Sequence, residues 1–247
     1  MRIYSNMRLL CKTLLAVALI MPVYAAAQDD ASLYMEQSAG SALLYRGHIA
    51  QSYPMAFNGT WFWTGPAFEK GEVAYNGTVY RDIPMNVDAS RQELLVKTAS
   101  GAADKVLNRD YVTWFTMGGH RFLNLQQTYG SEAPAGYWEV LYDGRARIVR
   151  QVVRSLRRDM NGELRPEIGY DDSTYRPEVH QTFTRSISYC YISEDGQIVP
   201  VRRRAQVLEF YKDRKREINR HISNRERAGK MDFESFCTEA VRFAETL

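Results

Sequence analysis

The residues able to act as bases, nucleophiles or metal ligands are few and scattered. Four histidines occur, His48, His120, His180 and His221. No two stand close enough in sequence to form a ligand pair such as His-x-x-x-His, the spacing that sets two imidazoles around one metal. His120 follows Gly118-Gly119 and reads as a hairpin residue. Cys190 falls among aromatic residues in an expected strand, and Cys237 on the apolar stripe of an expected helix. Neither setting lowers a thiol pKa, as a cysteine nucleophile requires. Asp171-Asp172 and Glu163/Glu167 are acidic pairs, but carboxylates working as acid and base must be held rigidly apart, and these sit in an expected loop. There is no Gly-x-Ser-x-Gly elbow and no phosphate-cradling glycine loop. No catalytic residue is assigned, and no metal or cofactor is expected.

Binding chemistry has more to work with. Trp61-Phe62-Trp63-Thr64-Gly65-Pro66-Ala67-Phe68 is the densest aromatic segment. Exposed, it would stack on sugar rings or enter a partner; buried, it is core. Arginines recur at Arg145, Arg147, Arg150, Arg154, Arg157 and Arg158, and basic residues outnumber acidic ones through 201–230. Trp61, Trp63, Arg147, Arg150, Arg214 and Arg216 are therefore the candidate binding surface. Its expected partner is an envelope protein, or an anionic glycan or lipid headgroup. The competing reading is a solvated helix face laced with i,i+4 pairs.

The N-terminus bears on where such a partner would be met. Arg2, Arg8 and Lys12 precede the apolar run Thr13–Val23, and Ala25-Ala26-Ala27 supplies small residues for a peptidase. That order predicts a secretory signal peptide over residues 1–27. The run is about half of the ~20 residues a membrane-spanning helix needs. An exported chain acting in the periplasm or at the cell surface is expected, with no membrane span after cleavage. The whole chain has 32 Lys+Arg against 29 Asp+Glu. Losing three basic residues with the leader leaves the two equal, which argues against nucleic acid as partner. Cys190 and Cys237 remain, and an oxidising compartment invites a disulfide between them. Buried, reduced thiols are the alternative.

The elements that would position these residues follow from turn chemistry. Asn76-Gly77 between aromatic and β-branched stretches signals a type I′ hairpin. Gly118-Gly119, Asp143-Gly144 and Asp195-Gly196 repeat the device, and Tyr45-Arg46-Gly47 is a weaker instance. Strands are also expected at Ile83–Val87 and Leu94–Thr98, and a bent strand rather than a helix over Arg145–Leu156. Residues 157–180 read as an exposed loop, and 29–42 as a loosely held start. From Arg204 the period becomes helical, with Val207, Leu208, Tyr211, Ile218 and Ile222 on one stripe. Gly229 marks a stop and Asp232 an N-cap, followed by Phe233, Phe236, Cys237, Ala240, Val241 and Ala244 at helical spacing. The expected fold is α+β: a mainly antiparallel β meander, sandwich or open barrel-like, over 28–200. Two C-terminal amphipathic helices over 201–247 pack on it.

The order of these features resembles a group of uncharacterised exported bacterial envelope proteins. The resemblance runs from Gly71–Tyr80 (GEVAYNGTVY) through Gly118–Leu123 (GGHRFL) and Gly136–Gly144 (GYWEVLYDG) to Ala205–Ile218 and Phe233–Leu247. It implies no activity, so no functional residue is carried over. Two functions are therefore expected in turn. The first is a non-catalytic envelope binding or structural protein. The second is a secreted hydrolase whose residues converge only in three dimensions. A deep pocket holding a histidine beside a carboxylate would favour the enzyme, and a flat aromatic or arginine-lined face would favour binding.

Overall fold

Backbone reversals at the expected dipeptides organise the chain into an antiparallel sheet. A computed structural model describes residues 44–53, 57–98, 104–158, 181–227 and 229–247. The expected leader, the start over 29–42, and His180 with residues 159–180 lie outside the described residues. The chain divides into two units, Met1–Arg46 and Gly47–Leu247, and the sheet and C-terminal helices share the second. β1 (Glu69–Tyr75) turns through Asn76 and Gly77 into β2 (Thr78–Asp88). Both turn residues have positive φ, 49° and 79°, as a type I′ turn demands. β3 (Glu93–Val96) and β4 (Lys105–Leu107) complete a first meander. The second meander runs β5 (Val112–Met117), β6 (His120–Asn124), β7 (Tyr137–Asp143), β8 (Arg147–Arg158), β9 (Gln181–Ile192) and β10 (Ile198–Val201).

All the pairs are antiparallel, and the sheet order is β10-β9-β8-β7-β6-β5-β1-β2-β3-β4. The one non-sequential step carries the chain from β4 back to place β5 beside β1. The sheet is open, not closed into a barrel. Gly71 permits the β1–β5 contact: a Cβ there would lie 1.7 Å from the Thr116 carbonyl oxygen. Arg157 and Arg158, expected in a loop, are instead the last residues of β8.

Both faces of the β7–β10 end carry apolar clusters. On one, Leu123, Trp138, Val149, Cys190 and Ile192 pack with Leu125 of the short helix α1 (Leu125–Tyr129). On the other, Ile148, Tyr191 and Val201 receive the C-terminal helices α2 (Arg204–Glu209), α3 (Lys215–Glu226) and α4 (Phe233–Ala244). The amphipathic spacing decides which helical residues dock. Val207, Ile218, Ile222, Phe236, Cys237, Ala240 and Val241 are all buried. Each large apolar side chain so buried stabilises by about 1.5–3 kcal/mol.

The first of the two expected helical segments is interrupted. Phe210 stacks on Tyr191 at 4.1 Å between centroids, and Tyr211 leaves helical geometry at φ −124°, ψ 48°. Docking these two rings against Tyr191 thus breaks the run into α2, a 3-10 turn over Lys212–Arg214, and α3. Asp232 caps α4 as expected, its carboxylate accepting from the Ser235 N–H at 2.7 Å.

The disulfide does not form: Cys190 and Cys237 are both free and buried. Side chains alternate between faces along a strand. Tyr191 points to the helices, so its neighbour Cys190 points to the α1 side, with the sheet between it and Cys237. Burial pushes the two thiols up, to about 11 and about 12 respectively.

Candidate functional site

The six residues expected to share a surface are placed apart. Trp63 is buried, edge-on to His120 and Phe122 at 4.9 and 5.0 Å. Trp61 is half-buried in an aromatic cluster with Tyr53, Phe57, Phe62 and Phe183. Arg147 and Arg150 lie three positions apart on β8 and so face opposite sides. Arg147 bonds Asp143 at 2.5 Å and Tyr129 at 2.6 Å on the α1 side. Arg150 faces the C-terminal helices and is paired there. Arg214 lines a cleft at the helix–sheet seam, and Arg216 is exposed on α3. The tryptophans are thus mainly core, and the arginines do not converge.

Arg150 belongs to a buried network. Glu139 is almost wholly buried, and Arg150 donates to its Oε2 from Nε at 2.8 Å and also from Nη2. His120 Nδ1 lies 2.6 Å from the other oxygen. Arg150 Nη1 reaches Glu234 near the start of α4 at 2.6 Å, and Tyr189 approaches the same carboxylate at 3.4 Å. Burial first, then the charge of Glu234, raises the Tyr189 phenol to about 12. A buried carboxylate held on both oxygens is a structural clasp between sheet and helix. Among the described residues, no group of three or more His, Cys, Asp or Glu is arranged to hold a metal.

Beyond Arg150 the β8–β9 ribbon carries different chemistry. Opposed residues share a face, so the helix side of the ribbon reads, rung by rung, Val152/Ile187, Arg154/Arg185, Leu156/Phe183 and Arg158/Gln181. Arg158 and Arg185 are exposed and Arg154 half-buried. Ile187 and Leu156 are 39% and 37% exposed, large values for aliphatic side chains. Like charges directly opposed repel, yet Arg154 faces Arg185 across the ladder. Among the described residues, no carboxylate pairs with Arg154, Arg158 or Arg185. Arg154 is also short of hydrogen bonds. Among the described residues, its Nη2 reaches only the Trp63 carbonyl at 3.5 Å, and its buried Nε has no partner. Burial, and next the charge of Arg185, lowers the pKa of the Arg154 guanidinium. The aromatic cluster adjoins this face through Phe183, which meets Trp61, Phe57 and Tyr53.

A concavity of about 380 Å³ lies at the seam between the sheet and the C-terminal helices. Arg145, Tyr191, Tyr211, Arg214, Glu245 and Leu247 are among its walls. Two of its charged residues, Glu245 and Arg145, are already engaged. Glu245 accepts from the Ala146 N–H at 2.7 Å and the Tyr142 hydroxyl at 2.9 Å, and Arg145 bonds the Glu245 carbonyl at 2.9 Å. Among the described residues, no histidine lines it.

The ribbon face was only half visible in the sequence. Arg154 and Arg158 stood out in a basic run, but their opposition to Arg185 is a matter of strand register, which single-residue types do not reveal. Compared with protein-family models, curated proteins and solved structures, the chain matches none.

Proposed function

We propose that this chain is an exported envelope protein that works by binding an anionic partner, through the arginine-lined face of the β8–β9 ribbon. One observation carries the reading: Arg154 and Arg185 stand opposed, with Arg158 beyond them, where no carboxylate neutralises them among the described residues. A fold that tolerates this repulsion gains from an anion that relieves it. Of the six basic and aromatic residues singled out in the sequence, Trp61 contributes at the margin, beside Phe183. The signal-peptide pattern supports export, and the resemblance to exported envelope proteins points the same way.

The hydrolase reading has one observation in its favour. Glu139 orients His120 through Nδ1 at 2.6 Å, which leaves Nε2 to act as a base. The same carboxylate is tied to Arg150, and the ring is packed edge-on against Trp63, so a clasp accounts for the geometry as well.

Two measurements test the reading. N-terminal sequencing of the chain from fractionated bacteria is expected to find it outside the cytoplasm, beginning near Gln28; retention in the cytoplasm with Met1 in place contradicts it. On an immobilised acidic polymer, the parent is expected to elute at higher salt than Arg158→Ser/Arg185→Ser. Coincident elution removes the ribbon face from the account.

A further inference from the structure

The ribbon face is not purely cationic, and the exception indicates what kind of anion it fits. Along about 20 Å of ribbon, six residues of rise at roughly 3.3 Å each, arginines alternate with aliphatic side chains on the same face. Ile187 precedes the Arg154/Arg185 rung, Leu156 follows it, and Arg158 comes next. An acidic glycan or a soluble phosphate would use the guanidinium groups but leave Ile187 and Leu156 in water. A lipid surface uses both: phosphates lie at headgroup level and apolar groups begin directly beneath them. Trp61, half-buried in the adjoining aromatic cluster, is of the residue type enriched at that same boundary. Carboxylates occur one rung away, where Glu139 and Glu234 hold Arg150. Among the described residues, the stretch without carboxylates thus starts where the helix-bound network stops. The opposite side of the ribbon pairs Ser155 with Thr184 and Val153 with Ser186, and both hydroxyls bond backbone carbonyls across the ladder. That side has no comparable alternation.

We propose that the face formed by Arg154, Arg185, Arg158, Leu156 and Ile187 docks on an anionic lipid surface. The guanidinium groups rest on headgroup phosphates, and the two aliphatic side chains reach the boundary of the apolar layer. This rests on reading the face as anion-binding and adds the class of partner. Binding is peripheral: among the described residues no helix is long and apolar enough to cross a membrane.

The test is co-flotation of the chain recovered from the exporting cell with vesicles of phosphatidylcholine alone or mixed with phosphatidylglycerol. A parallel arm measures retention on an immobilised unphosphorylated acidic polysaccharide. The parent is expected to float with the mixed vesicles, to stay behind with the neutral ones, and to be released by salt. Arg158→Ser/Arg185→Ser changes only exposed side chains and so avoids a folding defect. It is expected to weaken vesicle binding by about 25-fold, roughly fivefold for each basic residue near the surface. Leu156→Ser/Ile187→Ser is expected to weaken vesicle binding severalfold and to leave polysaccharide retention unchanged. Retention on the polysaccharide without flotation overturns the lipid inference and leaves the anion-binding reading standing. Equal flotation of the parent and the arginine variant overturns the assignment to this face. Binding to neither support overturns both readings.

Discussion

Removing the guanidinium of Arg150 would strand Glu139 inside the sheet. Glu139 is 3% exposed and takes its shortest contacts from Arg150 and His120. Leaving one partner of a buried pair uncompensated costs about 3–5 kcal/mol. Arg150→Met is therefore expected to lower the urea midpoint by that equivalent, while Arg158→Ser stays within about 0.5 kcal/mol, as surface changes do. A loss under about 1 kcal/mol for Arg150→Met would show that the clasp does not hold the helix to the sheet. The thiols make a second claim at this scale. Cys190 and Cys237 are expected to react with iodoacetamide in denaturant without reductant; mass spectrometry finding both unmodified would establish the bridge the structure lacks. Their residue types and the expected oxidising compartment invited a disulfide. Strand parity, which sends Cys190 away from the helices, was not legible until Tyr191 was placed against α2–α4.

At the scale of elements, the reversals were the most legible part. Asn76-Gly77 and Gly118-Gly119 announce themselves because few other residue pairs accept two positive φ angles in succession. The N-cap at Asp232 was equally readable, and its loss by Asp232→Ala is expected to cost about 1 kcal/mol of stability in denaturant titration. The break between α2 and α3 was not readable, because Val207, Leu208, Tyr211 and Ile218 keep helical spacing across it. Only the tertiary stack of Phe210 on Tyr191 reveals it.

The α3–α4 seam carries a pH dependence. Burial alone would raise the Glu239 carboxyl, but hydrogen bonds from His221, at 2.7 Å, and Arg225 outweigh it and leave the group below its ordinary 4.5. A carboxyl depressed on folding stabilises fully above its unfolded value and loses that contribution as pH falls through the folded one. Acidification below about pH 4.5 is therefore expected to loosen α3 from α4, seen as lost helical circular dichroism. In Glu239→Gln this acid-dependent part of the loss should be absent; an unchanged acid profile would remove Glu239 as its source.

For the whole molecule, composition and turn spacing were enough to expect an antiparallel meander with C-terminal helices. They could not reveal that β5 returns to pair with β1, since a jump in strand order depends on long-range pairing and leaves no local mark. The same limit hid the proposed binding face. A basic run on β8 was visible, but Arg185 lies on another strand, and the exposed aliphatic residues between the arginines become a pattern only in register. The most direct measurement is hydroxyl-radical footprinting of the chain with and without phosphatidylglycerol vesicles, read at individual side chains. Leu156 and Ile187, more than a third exposed in the free chain, are expected to lose reactivity on binding, while the exposed side of α3 around Arg216 keeps its own. Protection centred on α3, with Leu156 and Ile187 unchanged, would contradict the account.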